Sequence, residues 1–308
     1  MDNICHTLVG AALAEAGLKR RTALGSATLM IAANFPDIDV IAVPLGHSLG
    51  FRRGITHGIP ALLLLPVVLT FLMIGWHRWR GRGERPDTGW LLALSAVGIV
   101  THPVLDWMNT YGMRWLMPLD PTWFFGDALF IVDPWIWLTL GAGVWVSRRR
   151  GTLRPAKMAL FAVGAYIAGM MGLAGYARGA VKTALTTQGL TPDTVVVEPL
   201  PANPFQRRVI YHWNAAYHLA TFTIIDRALS APWLAIPLNA GDPAVEPANR
   251  TPQGREYHSW TRLPYYIIET TRDTTWVTIA DARYTLDGRS SWATTRIRVP
   301  RATARSAR

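Results

Sequence analysis

"GIPALLLLPVVLTFLMIGWH", residues 58–77, runs for 20 residues without one Asp, Glu, Lys or Arg. At ~1.5 Å of rise per residue a helix of this length reaches ~30 Å, the thickness of the hydrocarbon core of a bilayer. The stretch therefore predicts a membrane-spanning helix. Three more segments of similar length and character lie at 88–107, 126–147 and 157–178. Ahead of them, 4–18 and 22–35 are apolar but short, and Lys19, Arg20 and Arg21 separate them. This pair reads as a hairpin packed against the longer helices. The "MDNICHTLVG" start carries an acid where a secretory signal would carry positive charge, and reads as mature sequence.

Composition agrees with a membrane protein. Half of the 308 residues are hydrophobic, 17% are charged, mean hydropathy is +0.16, and there are 14 tryptophans. Within the first 178 residues the basic residues behind the formal charge of +11 are gathered at the ends of apolar segments. The stretches 19–21, 78–85 and 147–157 hold 12 Lys and Arg, whereas the opposite loops up to residue 127 hold only Arg52, Arg53 and Arg114. By the positive-inside rule the basic loops face the cytoplasm. Cys5, the only cysteine, excludes an intrachain disulfide.

After residue 178 the pattern changes. Runs rich in β-branched and aromatic residues at 194–199, 207–213, 219–225, 264–270, 274–285 and 292–299 are separated by Pro, Gly, Asn and Asp. They predict a small, mostly antiparallel β domain over 179–308, with 231–252 as loop and 301–308 as a frayed tail. The whole is then an α-helical polytopic membrane domain, 1–178, followed by an α+β soluble domain. Basic and acidic residues are spread evenly through the second domain, so no nucleic-acid partner is expected.

Polar residues in the first domain fall at one depth. Counting helix rise from the basic loops places His6, Asp37, His57 and His102 ~20–31 Å away, all toward the opposite face. Asp39 follows Asp37 by two residues, and Asp106 follows His102 by four, on one helical face. Ionisable groups at membrane depth are expensive and mark function. Imidazole and carboxylate together suit Zn, Mn or Fe, with zinc the first expectation. Six candidates exceed one tetrahedral site, so the set implies one or two ions, or some groups that only orient the ligands. "PDID" reads as a turn presenting both carboxylates. Arg52 and Arg53 suit an anionic substrate. Asn109 and Tyr111 are expected to support the ligands from behind. Asp127 and Asp133 suit either that role or a helix N-cap.

The stretches "MDNICHTLVGAALAEAGL", "ANFPDIDV", "FRRGITHG", "HPVLDWMNTYG" and "WFFGDALFIVDPW" resemble a bacterial inner-membrane-associated family described as metal-dependent hydrolases, some members of which carry a LexA-binding label. "NPFQRRV" and "DARY" resemble its longer members. The resemblance implies that His6, Asp37, Asp39, His57, His102 and Asp106 are the polar positions of the family pattern. A serine is expected where this chain has Gly58. LexA is cytoplasmic, so that partnership fits poorly with a site facing outward.

Together these readings predict a multi-pass protein of the bacterial inner membrane whose metal site and C-terminal domain lie outside the cytoplasm. Its expected activity is hydrolysis of an ester or phosphodiester, with a lipid-like substrate and water as nucleophile in place of a side chain. A transporter coupled to metal or protons, and a protein whose metal is purely structural, are the alternatives. The absence of an internal repeat argues against the transporter.

Overall fold

A computed structural model describes residues 1–45, 52–81, 83–271 and 274–300; the tail expected at 301–308 lies outside them. The chain divides into two compact units, Met1–Tyr176 with Glu198–Gln206, and Ala177–Val197 with the chain from Arg207 onward.

The first unit is helical. α1 (Asn3–Glu15) and α2 (Gly25–Ala32) form the expected hairpin through a short 3₁₀ turn, Leu18–Arg20. A second 3₁₀ segment, Phe35–Leu45, follows. Then come α3 (Ile59–Arg80), α4 (Thr88–Trp107), α5 (Pro134–Arg150) and α6 (Arg154–Thr187). α3, α4 and α6 are long and apolar enough to cross a membrane. The third expected span starts eight residues late: Asp133 caps α5 and Pro134 opens it, leaving 17 residues, at the lower limit for a crossing. Pro66 lies inside α3 and lacks the amide that would bind the Leu62 carbonyl, and one turn on Thr70 Oγ donates to the Pro66 carbonyl at 2.7 Å.

Packing depends on small residues. A Cβ at Gly10 of α1 would lie 2.6 Å from the Leu29 carbonyl oxygen of α2, and one at Gly98 of α4 would lie 2.5 Å from Ala32 Cβ. The short hairpin is thus pressed against α4, and Trp137 Nε1 on α5 donates to the Asp2 carboxylate that caps α1, at 3.1 Å. The stripe Gly164, Ala168, Gly172 on α6 reads in the sequence as the close-packing feature, and the structure corrects this. A Cβ at Gly164 or Gly172 meets nothing within 4 Å, whereas one at Gly143 of α5 would strike Ala159 Cβ of α6 at 2.4 Å. α5 approaches α6 one face away from the stripe.

The second unit holds the sheets. β1 (Val195–Leu200), β2 (Asn203–Trp213), β3 (Ala216–Thr223) and β4 (Ala228–Leu229) lie in that order, and β5 (Leu234–Pro237) pairs with β3. Two short helices follow, α7 (Val245–Asn249) and α8 (Pro252–His258). β6 (Pro264–Thr270), β7 (Thr274–Asp281) and β8 (Thr294–Pro300) form an antiparallel three-stranded sheet. The region 231–252 is therefore not all loop: Pro237 ends a strand, and Pro252 starts a helix capped by Thr251. At the end of β7, buried Asp281 accepts from Thr261 Oγ at 2.7 Å, from the amides of Arg262 and Arg283 at 2.9 Å, and from the Arg283 guanidinium at 2.8 and 3.0 Å.

Two outcomes are expected. Gly98→Leu should destabilise the helical unit by ~2 kcal/mol through overpacking, while Gly164→Leu leaves it unchanged; thermal unfolding in detergent, followed by light scattering, compares them. Burial would raise the Asp281 carboxyl, but the Arg283 charge and the hydrogen bonds outweigh it and hold the carboxyl down at about 2 against an ordinary 3.8. Stability from this network is full above about pH 4 and is lost as pH falls through about 2, some ~2 kcal/mol in all. Asp281→Asn removes that acid limb and, by leaving Arg283 buried without its countercharge, lowers stability at pH 7 by ~3 kcal/mol. Tryptophan fluorescence from pH 2 to 7 tests both.

Candidate metal centre

At the end of the helical unit opposite the basic loops, α1, the 3₁₀ segment after α2, the 52–58 stretch and α4 bring polar side chains together. His6, His57 and His102 are fully buried, and Asp106 is 1% exposed. The His6 and His102 rings stack with centroids 3.8 Å apart, and His57 meets His102 edge-on at 5.0 Å. His6 Nε2 is 3.3 Å from Asp106 Oδ1. His102 Nε2 lies 3.7 Å from Asp37 Oδ1 and 3.5 Å from Asp106 Oδ2, while His57 Nε2 lies 3.8 and 3.7 Å from the same two oxygens. The amino group of Met1 also rests against Asp106 Oδ1.

One hydrogen bond decides what His102 can do. Its Nδ1 is 2.7 Å from the Ala33 carbonyl, which only accepts, so Nδ1 carries the proton. In the neutral ring, Nε2 then presents a lone pair toward two carboxylates, an arrangement that could hold a cation between them. His57 is less constrained: Thr56 Oγ, which can donate or accept, lies 3.0 Å from Nδ1, and Nε2 has no hydrogen-bond partner among the described residues. His6 Nδ1 and His102 Nε2 are likewise without one. Two groups result, His6–His102–Asp106 and Asp37–His57–His102, each with ligand atoms within 4.8 Å of one another and with His102 in common. Buried imidazole and carboxylate with unsatisfied nitrogens fit a divalent transition ion. The groups could hold one ion or two.

Other expected members have different work. Asp39 falls in neither three-residue group, although Arg52 bridges it to Asp37. At three residues per 3₁₀ turn, positions two apart point in different directions, so Asp39 turns to the Arg53 amide, 2.7 Å from its Oδ2, and to Arg52 Nη1 at 3.0 Å. Its nearest approach to the histidines is 3.7 Å, to His57 Nδ1. Arg53, expected to meet substrate, is 4% exposed. Its guanidinium faces Asp106 Oδ2, Asn109 Oδ1 and the Gly112 carbonyl at 3.0, 3.1 and 3.1 Å, and lies over the Tyr111 ring. Asn109 thus accepts from an arginine, and Tyr111 supports that same arginine. Arg52 spans Asp39 and Asp37, with Nη2 3.4 Å from Asp37 Oδ1, and remains a quarter exposed.

Asp133 caps α5 through the amides of Trp135 and Ile136 and accepts from Tyr166 Oη at 2.9 Å, so it serves packing. Asp127 is buried with φ of 50° and begins no helix; flanking amides of Gly126 and Ala128 bind the carbonyls of Trp107 and Met108. Sequence reasoning missed Arg114, whose Nη2 donates to the Arg52 carbonyl at 2.9 Å and whose guanidinium covers Trp123. Its signal was available, since it is the third arginine on a side that up to residue 127 carries no other Lys or Arg. Gly58, where a serine was expected, has no room for a side chain: a Cβ there would lie 2.3 Å from the Met117 carbonyl oxygen.

A family model described as YdjM inner membrane protein matches residues 1–180. The uncharacterized protein YfhP of Bacillus subtilis (strain 168) is 23% identical over 136 residues, 43% of this chain; the chain covers 40% of that protein's length. No solved structure matches. Elemental analysis of the detergent-purified protein is expected to find a stoichiometric transition metal. His102→Ala and Asp37→Ala should lose about nine-tenths or more of it, as loss of a direct ligand does, while Asp39→Asn keeps most.

Proposed function

Since the chain belongs to the YdjM inner membrane protein family, we propose that its His/Asp centre is the active site of a membrane-embedded, metal-dependent hydrolase acting on an ester or phosphodiester. The observation that carries this is the set of buried imidazole nitrogens gathered within 3.3–3.8 Å of the Asp37 and Asp106 carboxylate oxygens. His6, His102 and Asp106, with Asp37 and His57, would hold the ion. When bound, a Zn, Mn or Fe ion supplies Lewis-acid activation of water at neutral pH.

The chain's own residues define the rest. Asp37 and Arg52, with side chains 12% and 24% exposed, are the parts of the centre that solvent or substrate can reach. Arg52 is the group that would bind and orient an anionic substrate, and Asp39, holding its other amino group, fixes the direction in which it points. Arg53 holds Asp106 in place from inside. The neighbours of these residues are apolar and exposed: Ile38, Val40 and Ile55 stand 38%, 52% and 49% accessible. A lipid-like substrate, its headgroup at Arg52 and its chains along this rim, is the class such an opening suits.

The positive-inside rule supports an orientation with the centre and the β unit outside the cytoplasm. Arg78, Arg80, Arg148, Arg149 and Arg150 all lie in the final turns of α3 and α5, at the far end of the unit. An alkaline phosphatase fused after residue 300 should be active in cells, and an inactive fusion would reverse the orientation. For activity, metal-loaded protein is offered phospholipid, a lipid-linked phosphate and simple phosphodiesters and esters. Arg52→Ala should raise KM about tenfold with kcat changed less than about threefold, its metal content being unchanged. Full metal occupancy with no hydrolysis of any of these would sink the reading, and metal flux into proteoliposomes would replace it with transport.

A further inference from the structure

The last turns of α6 and the start of β1 enclose a cavity of about 430 Å³, lined wholly by residues 178–197. That volume falls within the range of small-molecule sites. Its lining is mixed. Arg178 and Lys182, one helical turn apart, bring positive charge to it. Leu185, Leu190, Val195 and Val197 supply its apolar floor, with Thr186, Thr191, Pro192 and Asp193 completing the wall, and Leu185 and Val197 are buried in the core that this part of α6 shares with β1, β2 and β3.

The way α6 ends makes that floor apolar. Gly189 has φ of 75°, its amide donates to the Thr186 carbonyl at 3.0 Å, and the Leu190 amide donates to the Leu185 carbonyl at 3.0 Å. This is the Schellman arrangement, which satisfies terminal carbonyls and folds the residue after the glycine back onto the helix. Leu190 therefore lies over Leu185 where open acceptors would otherwise repel an anion. Asp193 on the rim faces His212, with Oδ2 3.3 Å from Nδ1.

Position along α6 says where a ligand comes from. Between Lys157 and Arg178 there are 20 residues without a charge, ~30 Å of helix. Arg178 therefore stands where α6 leaves the apolar layer, and Lys182 one turn beyond it. The apolar floor lies farther out still. A two-chain lipid held by its head at Arg178 would leave its chains in the bilayer, away from the floor.

We propose that this cavity binds an anionic amphiphile with one alkyl chain, a carboxylate or phosphate head at Arg178 and Lys182 and the chain over Leu185, Leu190, Val195 and Val197. The test uses the full chain in nanodiscs of phosphatidylcholine, with empty nanodiscs as blank and a fluorescent polyene fatty acid as probe. Saturable binding of one probe per chain is expected, displaced by lysophosphatidylglycerol if phosphate heads are also accepted. The double variant Arg178→Gln, Lys182→Gln should weaken binding about tenfold or more. Leu190→Trp, which fills the floor, should do the same, and both variants should keep the wild-type thermal unfolding. The proposal is overturned if there is no saturable binding, or if both variants bind as wild type. It is equally overturned if inorganic phosphate alone displaces the probe, which makes this a bare anion site, or if dodecanol displaces it as well as lysophosphatidylglycerol does, which removes any role for the head.

Discussion

The ion pair between Arg53 and Asp106 holds the polar end of the helical unit together. Both groups are sealed from solvent, 4% and 1% exposed, with Nε to Oδ2 at 3.0 Å. In such surroundings one partner without the other is an uncompensated charge, a penalty of ~3–5 kcal/mol. The pair joins the 52–58 stretch to α4, and each partner extends the link. From Arg53 the amide reaches Asp39 and the guanidinium reaches Asn109 and Gly112; from Asp106 the other oxygen reaches His6 on α1. Four pieces of chain far apart in sequence are fixed by one buried contact and its neighbours.

Much of this was legible from sequence because membrane depth is a ruler. A helix rises by a constant amount, so residues counted from the basic loops could be assigned a level, and polar groups at an apolar level need partners. His6, Asp37, His57, His102 and Asp106 do meet. What could not be counted was direction within an irregular segment. Asp37 and Asp39 share a level but diverge because the chain winds as a 3₁₀ helix there, and adjacent Arg52 and Arg53 divide into one residue at the mouth and one inside. Neither division has a periodic signature. Asp133 had two readings in sequence, and the cap was the one realised because Pro134 started the helix beside it.

The second unit solves the same problem by local means. Asp281 and Arg283 are fully buried and only two residues apart, so the turn after β7 supplies both charges and the amide that joins them. A pair this close in sequence can form as the turn forms. Arg53 and Asp106 are brought together only by the packed helices, so the polar end of the first unit requires its tertiary structure to be complete. The strands at 264–270 and 274–281 could be read because runs of β-branched and aromatic residues mark them, while α7 and α8 were hidden among prolines that delimit elements as often as they prevent them.

The acceptor for His102 is the main-chain oxygen of Ala33, and this has a consequence for how the centre can vary. Every residue type carries that oxygen, so no substitution at position 33 removes the bond, and comparison of sequences would show no co-variation between residue 33 and His102 through it. Residue 33 is constrained only by volume, being fully enclosed. The direction in which the imidazole points is instead tied to where α2 ends. A shift of that helix end by a fraction of an ångström would turn the histidine without changing any side chain in the centre, making the short apolar hairpin a mechanical input to its geometry.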